Sequence, residues 1–106
     1  MQPMVAPGSS EAIRLELDGI LRLERTAFAT KVRLARAILG LSQDQFARQI
    51  GLTQKTVHRI EQGMVEPKLR TMLSIQQYWS DHGIAFEDLR DGGFRLAVEG
   101  ASLQSE

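Results

Sequence analysis

The chain has no cysteine in its 106 residues. A disulfide framework, a thiolate nucleophile and a thiolate metal ligand are therefore excluded. Histidine is scarce: His58 and His82 are the only two, and they lack the i, i+4 spacing that holds zinc on a helix. No glycine-rich phosphate loop is present, since Gly92-Gly93 falls between two strand-like runs. No nucleophile and base, or pair of carboxylates, stands in a pattern that asks for chemistry; Asp88 and Asp91 flank a turn, and turn chemistry explains them. The expectation is a non-enzyme with no catalytic residues, no metal and no cofactor. No apolar run approaches the roughly 18 residues of a membrane span, and the start lacks a basic-then-apolar signal pattern. A soluble, cytoplasmic protein without a membrane partner is expected. Net charge is lacking too: the formal total is zero, which argues against a generic nucleic-acid binder.

The distribution of charge says more than its total. Residues 26–80 carry eight Lys/Arg against three Asp/Glu, a net +5. Residues 1–25 hold three basic against four acidic groups, and residues 81–106 hold two against six. A basic centre thus sits between acidic flanks, a pattern that suits either a DNA-facing module or one that binds a protein.

The centre is organised around Ser42–Gly63, SQDQFARQIGLTQKTVHRIEQG. Ser42 is a favourable N-cap, and Gln45 three residues on completes a capping box. Phe46, Ala47 and Ile50 share one face of the helix that follows. Gly51 supplies the residue most tolerant of positive φ where that helix must stop. Leu52 points inward, Thr53 caps a second helix over Thr53–Gln62, and Gly63 ends it. In this second helix Val57 and Ile60 face inward, while Gln54, Lys55, His58 and Arg59 face outward. A short helix, a tight glycine turn and a helix with a polar outer face are the parts of a helix-turn-helix.

The rest of the chain builds on that unit. Residues 1–10, with two prolines, a glycine and two serines, read as a disordered tail. Residues 11–25 read as a helical extension whose Ile13, Leu17, Ile20 and Leu21, with Phe28 beyond, form an apolar stripe. Such a stripe packs on its own domain or, less commonly, on a second subunit. Thr26–Leu39 reads as the first helix of a domain spanning 26–80, with Val32, Ala35 and Leu39 inward and Gly40 as C-cap. Pro67 suits the first position of the last helix, in which Leu69, Met72, Leu73, Gln76 and Trp79 share a side. Residues 81–98 alternate as a β-hairpin, with Ile84, Phe86, Phe94, Leu96 and Val98 on one face, and residues 99–106 read as a frayed tail. The expected fold class is mainly α, a helix-turn-helix bundle of four to five helices with a C-terminal two-stranded β-hairpin.

The stretch from Val32 to Trp79 resembles the helix-turn-helix domain of the Cro/C1 phage-repressor family, also called the XRE family. The resemblance is carried by Arg36, Leu41-Ser42-Gln43, Phe46-Ala47, Gly51, Val57, Ile60-Glu61, Gly63, Pro67, Leu69 and Leu73. It implies a transcriptional regulator that binds double-stranded DNA as a homodimer on a palindromic operator, with the third domain helix in the major groove. Residues at the positions of Gln54, Lys55 and Arg59 would read bases, with His58 beside them. Gln43 would clamp a phosphate, and Thr53 and Thr56 would add phosphate contacts. The resemblance also implies a structural ion pair between Arg36 and Glu61. The loop Met64-Val65-Glu66 departs from the basic loop that grips phosphates in the phage repressors. Some relatives have kept the fold to bind proteins, so a protein partner, sequestered by an anti-activator or antitoxin, is the alternative.

Overall fold

The computed structural model describes residues 10–100. The tails expected over 1–10 and 99–106 fall, apart from Ser10, Glu99 and Gly100, outside the described residues. The order of elements is α1 (Ser10–Leu39), α2 (Gln43–Ile50), α3 (Gln54–Glu61), α4 (Leu69–Asp81), β1 (Ile84–Asp88) and β2 (Phe94–Val98).

α1 runs unbroken through both the expected extension and the first helix of the domain. No proline or capping signal interrupts Ser10–Leu39, and Thr30 satisfies its hydroxyl by donating to the carbonyl of Thr26 at 3.0 Å. Thirty residues make a rod of roughly 45 Å, which accounts for the elongated 56 × 29 × 24 Å shape. The rod serves two environments. Phe28, Val32 and Ala35, at i, i+4 and i+7, are buried in the core. Ile13, Leu17 and Ile20 remain 50, 52 and 51 % exposed. The expected packing of the N-terminal stripe on its own domain is therefore corrected for the described side chains: Phe28 reaches the core, whereas Ile13, Leu17 and Ile20 stay half exposed.

α2 and α3 form the compact heart of the fold. The capping box is complete: Ser42 Oγ accepts from the Gln45 amide at 3.0 Å, and Gln45 Oε1 accepts from the Ser42 amide at 2.9 Å. Gly51 turns the chain with φ 73°, its own N–H bonded to the carbonyl of Ala47. Thr53 caps α3 by accepting from the Thr56 amide at 3.2 Å. Phe46, Ala47, Val57 and Ile60 close over Val32 and Ala35 to make the core.

α4 differs from expectation in two respects. Pro67 is not its first residue: Lys68 is the N-cap, in extended conformation, and the helix begins at Leu69. The inward face is Met72, Ile75 and Trp79, with Ile75 and Trp79 buried, whereas Leu69, Leu73 and Gln76 are exposed. At 3.6 residues per turn, Leu69, Leu73 and Gln76 lie roughly 100° or more round the helix from Ile75. Trp79 fixes the rotation, because its ring is held between Phe28 at 5.8 Å and Phe86 at 5.0 Å.

β1 and β2 pair antiparallel, with Ile84 opposite Val98 and Phe86 opposite Leu96. Residues facing each other across the ladder point to one side, so Ile84, Phe86, Phe94, Leu96 and Val98 share a face. Ile84 is fully inside the core, and Phe86 and Phe94 meet edge to face at 5.4 Å. Lys31 of α1 ties the far end of the hairpin down, with Nζ 2.6 Å from Asp88 Oδ1 and above the rings of Phe86 and Phe94.

Candidate nucleic-acid interface

α3 is positioned by a polar network beneath it. Glu61, 2 % exposed, lies on the buried side of the helix end. A carboxylate there needs compensating charge and hydrogen bonds, or desolvation would expel it. Arg36 supplies both as a two-pronged pair: Nε donates to Glu61 Oε2 at 2.8 Å and Nη2 to Oε1 at 3.0 Å. Its third donor, Nη1, reaches the carbonyl of Leu41 at 3.0 Å, in the turn that precedes α2. One guanidinium thus fastens α1, the α1–α2 turn and α3 together. The hydrogen bonds that Arg36 donates to Glu61 raise the pKa of Arg36 above its ordinary value, opposed by burial and assisted by the Glu61 charge.

The network continues to the surface. Gln43 Nε2 donates to Glu61 Oε1 at 3.0 Å, and Gln54 Nε2 donates to Gln43 Oε1 at 2.7 Å. The direction of this chain is set by chemistry. An ionised carboxylate only accepts, so Gln43 must present its amide N–H₂ to Glu61. That leaves the Gln43 oxygen toward Gln54, which must answer with its own N–H₂. The consequence is an amide held at the first residue of α3 with one N–H and both oxygen lone pairs uncommitted. A glutamine in that state offers the donor and acceptor that adenine N7 and N6 require. Gln43 likewise keeps one N–H uncommitted, the group a phosphate oxygen would accept from.

Lys55, His58 and Arg59 are exposed on the outer face of α3, one turn apart as Lys55–Arg59 and Gln54–His58. Thr53 and Thr56 sit at the start of the helix with their hydroxyls 2.9 Å apart and share one hydrogen bond. The N-terminal ends of α2 and α3 thus bring Gln43, Gln54, Thr53 and Thr56 together, while His58 and Arg59 lie in the last turn of α3. Met64, Val65 and Glu66 follow, with Met64 and Glu66 exposed and Val65 packed against the core. The link from Gln54 through Gln43 to Glu61, and the hold of Arg36 on Leu41, were not evident from the sequence. The polar residues announce themselves, but their pairing depends on how α2 crosses α3. Among the described residues, no group of three or more His, Asp or Glu is placed to hold a metal, and no helix is long and apolar enough to cross a membrane.

Two short helices joined at a glycine, with a buried inner face and a polar outer one, define the helix-turn-helix class. Residues 32–78 match the family model described as helix-turn-helix, of the Cro/C1, or XRE, type. Over 59 residues the chain is 29 % identical to an uncharacterized HTH-type transcriptional regulator of Methanocaldococcus jannaschii, a match spanning 56 % of this chain and 85 % of that protein. No solved structure matches the chain significantly.

Proposed function

We propose that this protein is a sequence-specific DNA-binding transcriptional regulator that acts as a homodimer on a palindromic operator, with α3 in the major groove. The observation that carries the reading is the chain Arg36–Glu61–Gln43–Gln54. It fixes a glutamine amide at the start of α3, with its remaining donor and acceptors directed away from the core. Lys55 and Arg59 beside it offer the cations that pair with guanine O6 and N7. The basic balance of residues 26–80 and the similarity to a protein described as a transcriptional regulator support the same reading. The two α3 helices of such a dimer lie about 34 Å apart on one side of the duplex.

Selection of binding sites from random DNA tests this directly. An enriched palindrome is expected. Replacing Lys55 or Arg59 with alanine should cost about 1–3 kcal/mol at the matching base pair and relax the preference there. No enriched site, with cellular activity intact in both variants, would overturn it. The second reading, a protein-binding regulator of the anti-activator or antitoxin kind, is favoured by a different feature. Exposed Leu69 and Leu73 stand beside Gln49 and Ile50 on an open surface of about 790 Å³ between α2 and α4. It predicts loss of function from charges placed at Leu69 and Leu73, with Lys55 and Arg59 dispensable.

A further inference from the structure

We infer that the outer edge of β2 is the dimer interface, pairing antiparallel with β2 of a second copy to join two hairpins into one four-stranded sheet. The inference rests on the homodimer reading above and names the surface that makes the dimer. The hairpin's own hydrogen bonds fix which main-chain groups are left over. The Leu89 amide donates to the carbonyl of Gly93 at 2.8 Å, and the Glu99 amide to that of Gly83 at 2.9 Å. Bonded pairs alternate along an antiparallel ladder, so in the observed register Ala85–Ala97 and Glu87–Arg95 are the other bonded pairs. Phe94, Leu96 and Val98 therefore turn their N–H and C=O groups outward, and no main-chain partner meets them among the described residues. β1 is the strand that packs on α4, which leaves β2 outermost, with Arg95, Leu96 and Ala97 exposed. Proteins blunt a free edge with a proline, a bulge or an inward-pointing charge. β2 has none of these. FRLAV contains no proline, its five pairs run without a bulge, and its one charge, Arg95, lies on the outer face beside Glu87.

Charge selects a second copy and a register. A twofold pairing bonds through Phe94, Leu96 and Val98, so the axes that overlap most of the strand pass through Arg95, Leu96 or Ala97. With the axis at Arg95 the two arginines face each other, which is destabilising. At Leu96 each arginine faces an alanine. At Ala97, Arg95 faces the partner's Glu99, and by symmetry the contact is made twice. Both side chains are exposed, and opposite charges on neighbouring strands stabilise their pairing. Two further features suit this register. Two alanines meet on the axis, where a non-bonded pair brings Cα atoms to about 4.5 Å. On the inner face the row Phe86–Leu96 continues into the partner's Val98 and Ile84, so that Leu96, 38 % exposed in one chain, gains an apolar neighbour. Leu96 and the partner's Val98 then exchange both main-chain hydrogen bonds. The strand complements itself, and that makes a second copy its occupant.

The test uses the full chain, which has no cysteine of its own. Sedimentation of the wild type should show a dimer. Arg95→Glu and Glu99→Arg should each raise its dissociation constant by about tenfold, since two cross-strand contacts turn repulsive at once. Each variant should keep the helicity of the wild type, because both side chains are exposed. The combined Arg95→Glu/Glu99→Arg exchange should restore most of the affinity. Ala97→Cys should oxidise to a covalent dimer, because facing non-bonded residues lie within disulfide reach. Arg95→Cys should not, its counterpart being four positions along the strand, roughly 13 Å away. A wild-type dimer unmoved by either reversal, one not restored by the exchange, or equal cross-linking at both cysteines would overturn the inference and leave the homodimer reading standing. A wild type that stays monomeric on and off DNA would overturn both. A dimer with the expected responses in a chain that binds no DNA would uphold the interface and reject the DNA reading.

Discussion

At the residue scale, Arg36 and Glu61 matter because they are where the fold and the site share atoms. Glu61 has nowhere to place its charge except on Arg36 and Gln43. Arg36→Ala would leave a buried carboxylate with a single amide partner, a loss of about 3 kcal/mol, the lower end for a buried pair because the guanidinium is 24 % exposed. A surface contact would cost at most about 1 kcal/mol. Urea denaturation distinguishes the two, and replacing both residues with apolar ones of similar size should recover part of the loss. Gln43 leads to a second expectation. A phosphate clamp alone carries no sequence information, so its removal should weaken binding to all sequences alike. The hydrogen bond at 2.7 Å to Gln54 changes that. Gln43→Ala should also release the Gln54 amide and relax adenine preference at its base pair by about 1 kcal/mol, within the range seen for coupled neighbours. Binding measured on matched and mismatched sites for Gln43→Ala, Gln54→Ala and the double variant should show non-additivity. Additive effects would mean that Gln43 touches phosphate only.

At the scale of elements, the sequence was most legible where local chemistry decides. Ser42 with Gln45, Gly51 and Thr53 mark both ends of α2 and the start of α3 through capping and turn geometry, which the twelve residues from Ser42 to Thr53 already specify. α4 was legible only in part. Two sets of residues on it have helical spacing, one through Leu69 and Leu73 and one through Met72 and Ile75. The choice is made by Trp79 wedged between Phe28 and Phe86, contacts that come from residues 51 positions before it and seven after it. Pro67 misled for a related reason: its fixed φ suits a helix start but equally suits the extended turn before Lys68. The hairpin followed from alternation and was readable. A lone two-stranded hairpin is marginal in water, and here Ile84 in the core and the Lys31–Asp88 pair anchor it. Ile84→Ala should cost about 2–4 kcal/mol, and deletion of residues 84–106 should lower the melting temperature. A truncated protein that is also monomeric would place the dimer contact on the exposed edge of the hairpin.

At the scale of the whole molecule, the charge distribution sets how the protein would hold DNA. The helix-turn-helix region is basic, yet the loop that follows α3 offers Met64 and Glu66 to solvent, with Lys68 its one cation, at the N-cap of α4. Phosphate contacts supply essentially all non-specific affinity, and each one lost or gained changes the salt dependence. A domain with an acidic residue at that loop should show a shallow dependence of binding on salt and should rely on two copies for its affinity. Glu66→Lys reverses the charge without touching the core, since Glu66 is exposed and has no hydrogen-bond role in capping α4. The variant should bind operator and unrelated DNA more tightly by similar factors. It should steepen the slope of log affinity against log salt by about 0.9 for each subunit that gains a phosphate contact, so by roughly 1.8 for a dimer. Titrations at several salt concentrations, on operator and on scrambled DNA, measure both quantities. Base preference should be unchanged, because the loop lies outside the Gln54, Lys55 and Arg59 face. An unchanged slope would place the loop away from the phosphates, and a slope steepened on operator alone would make Glu66 part of the reading surface instead of its rim.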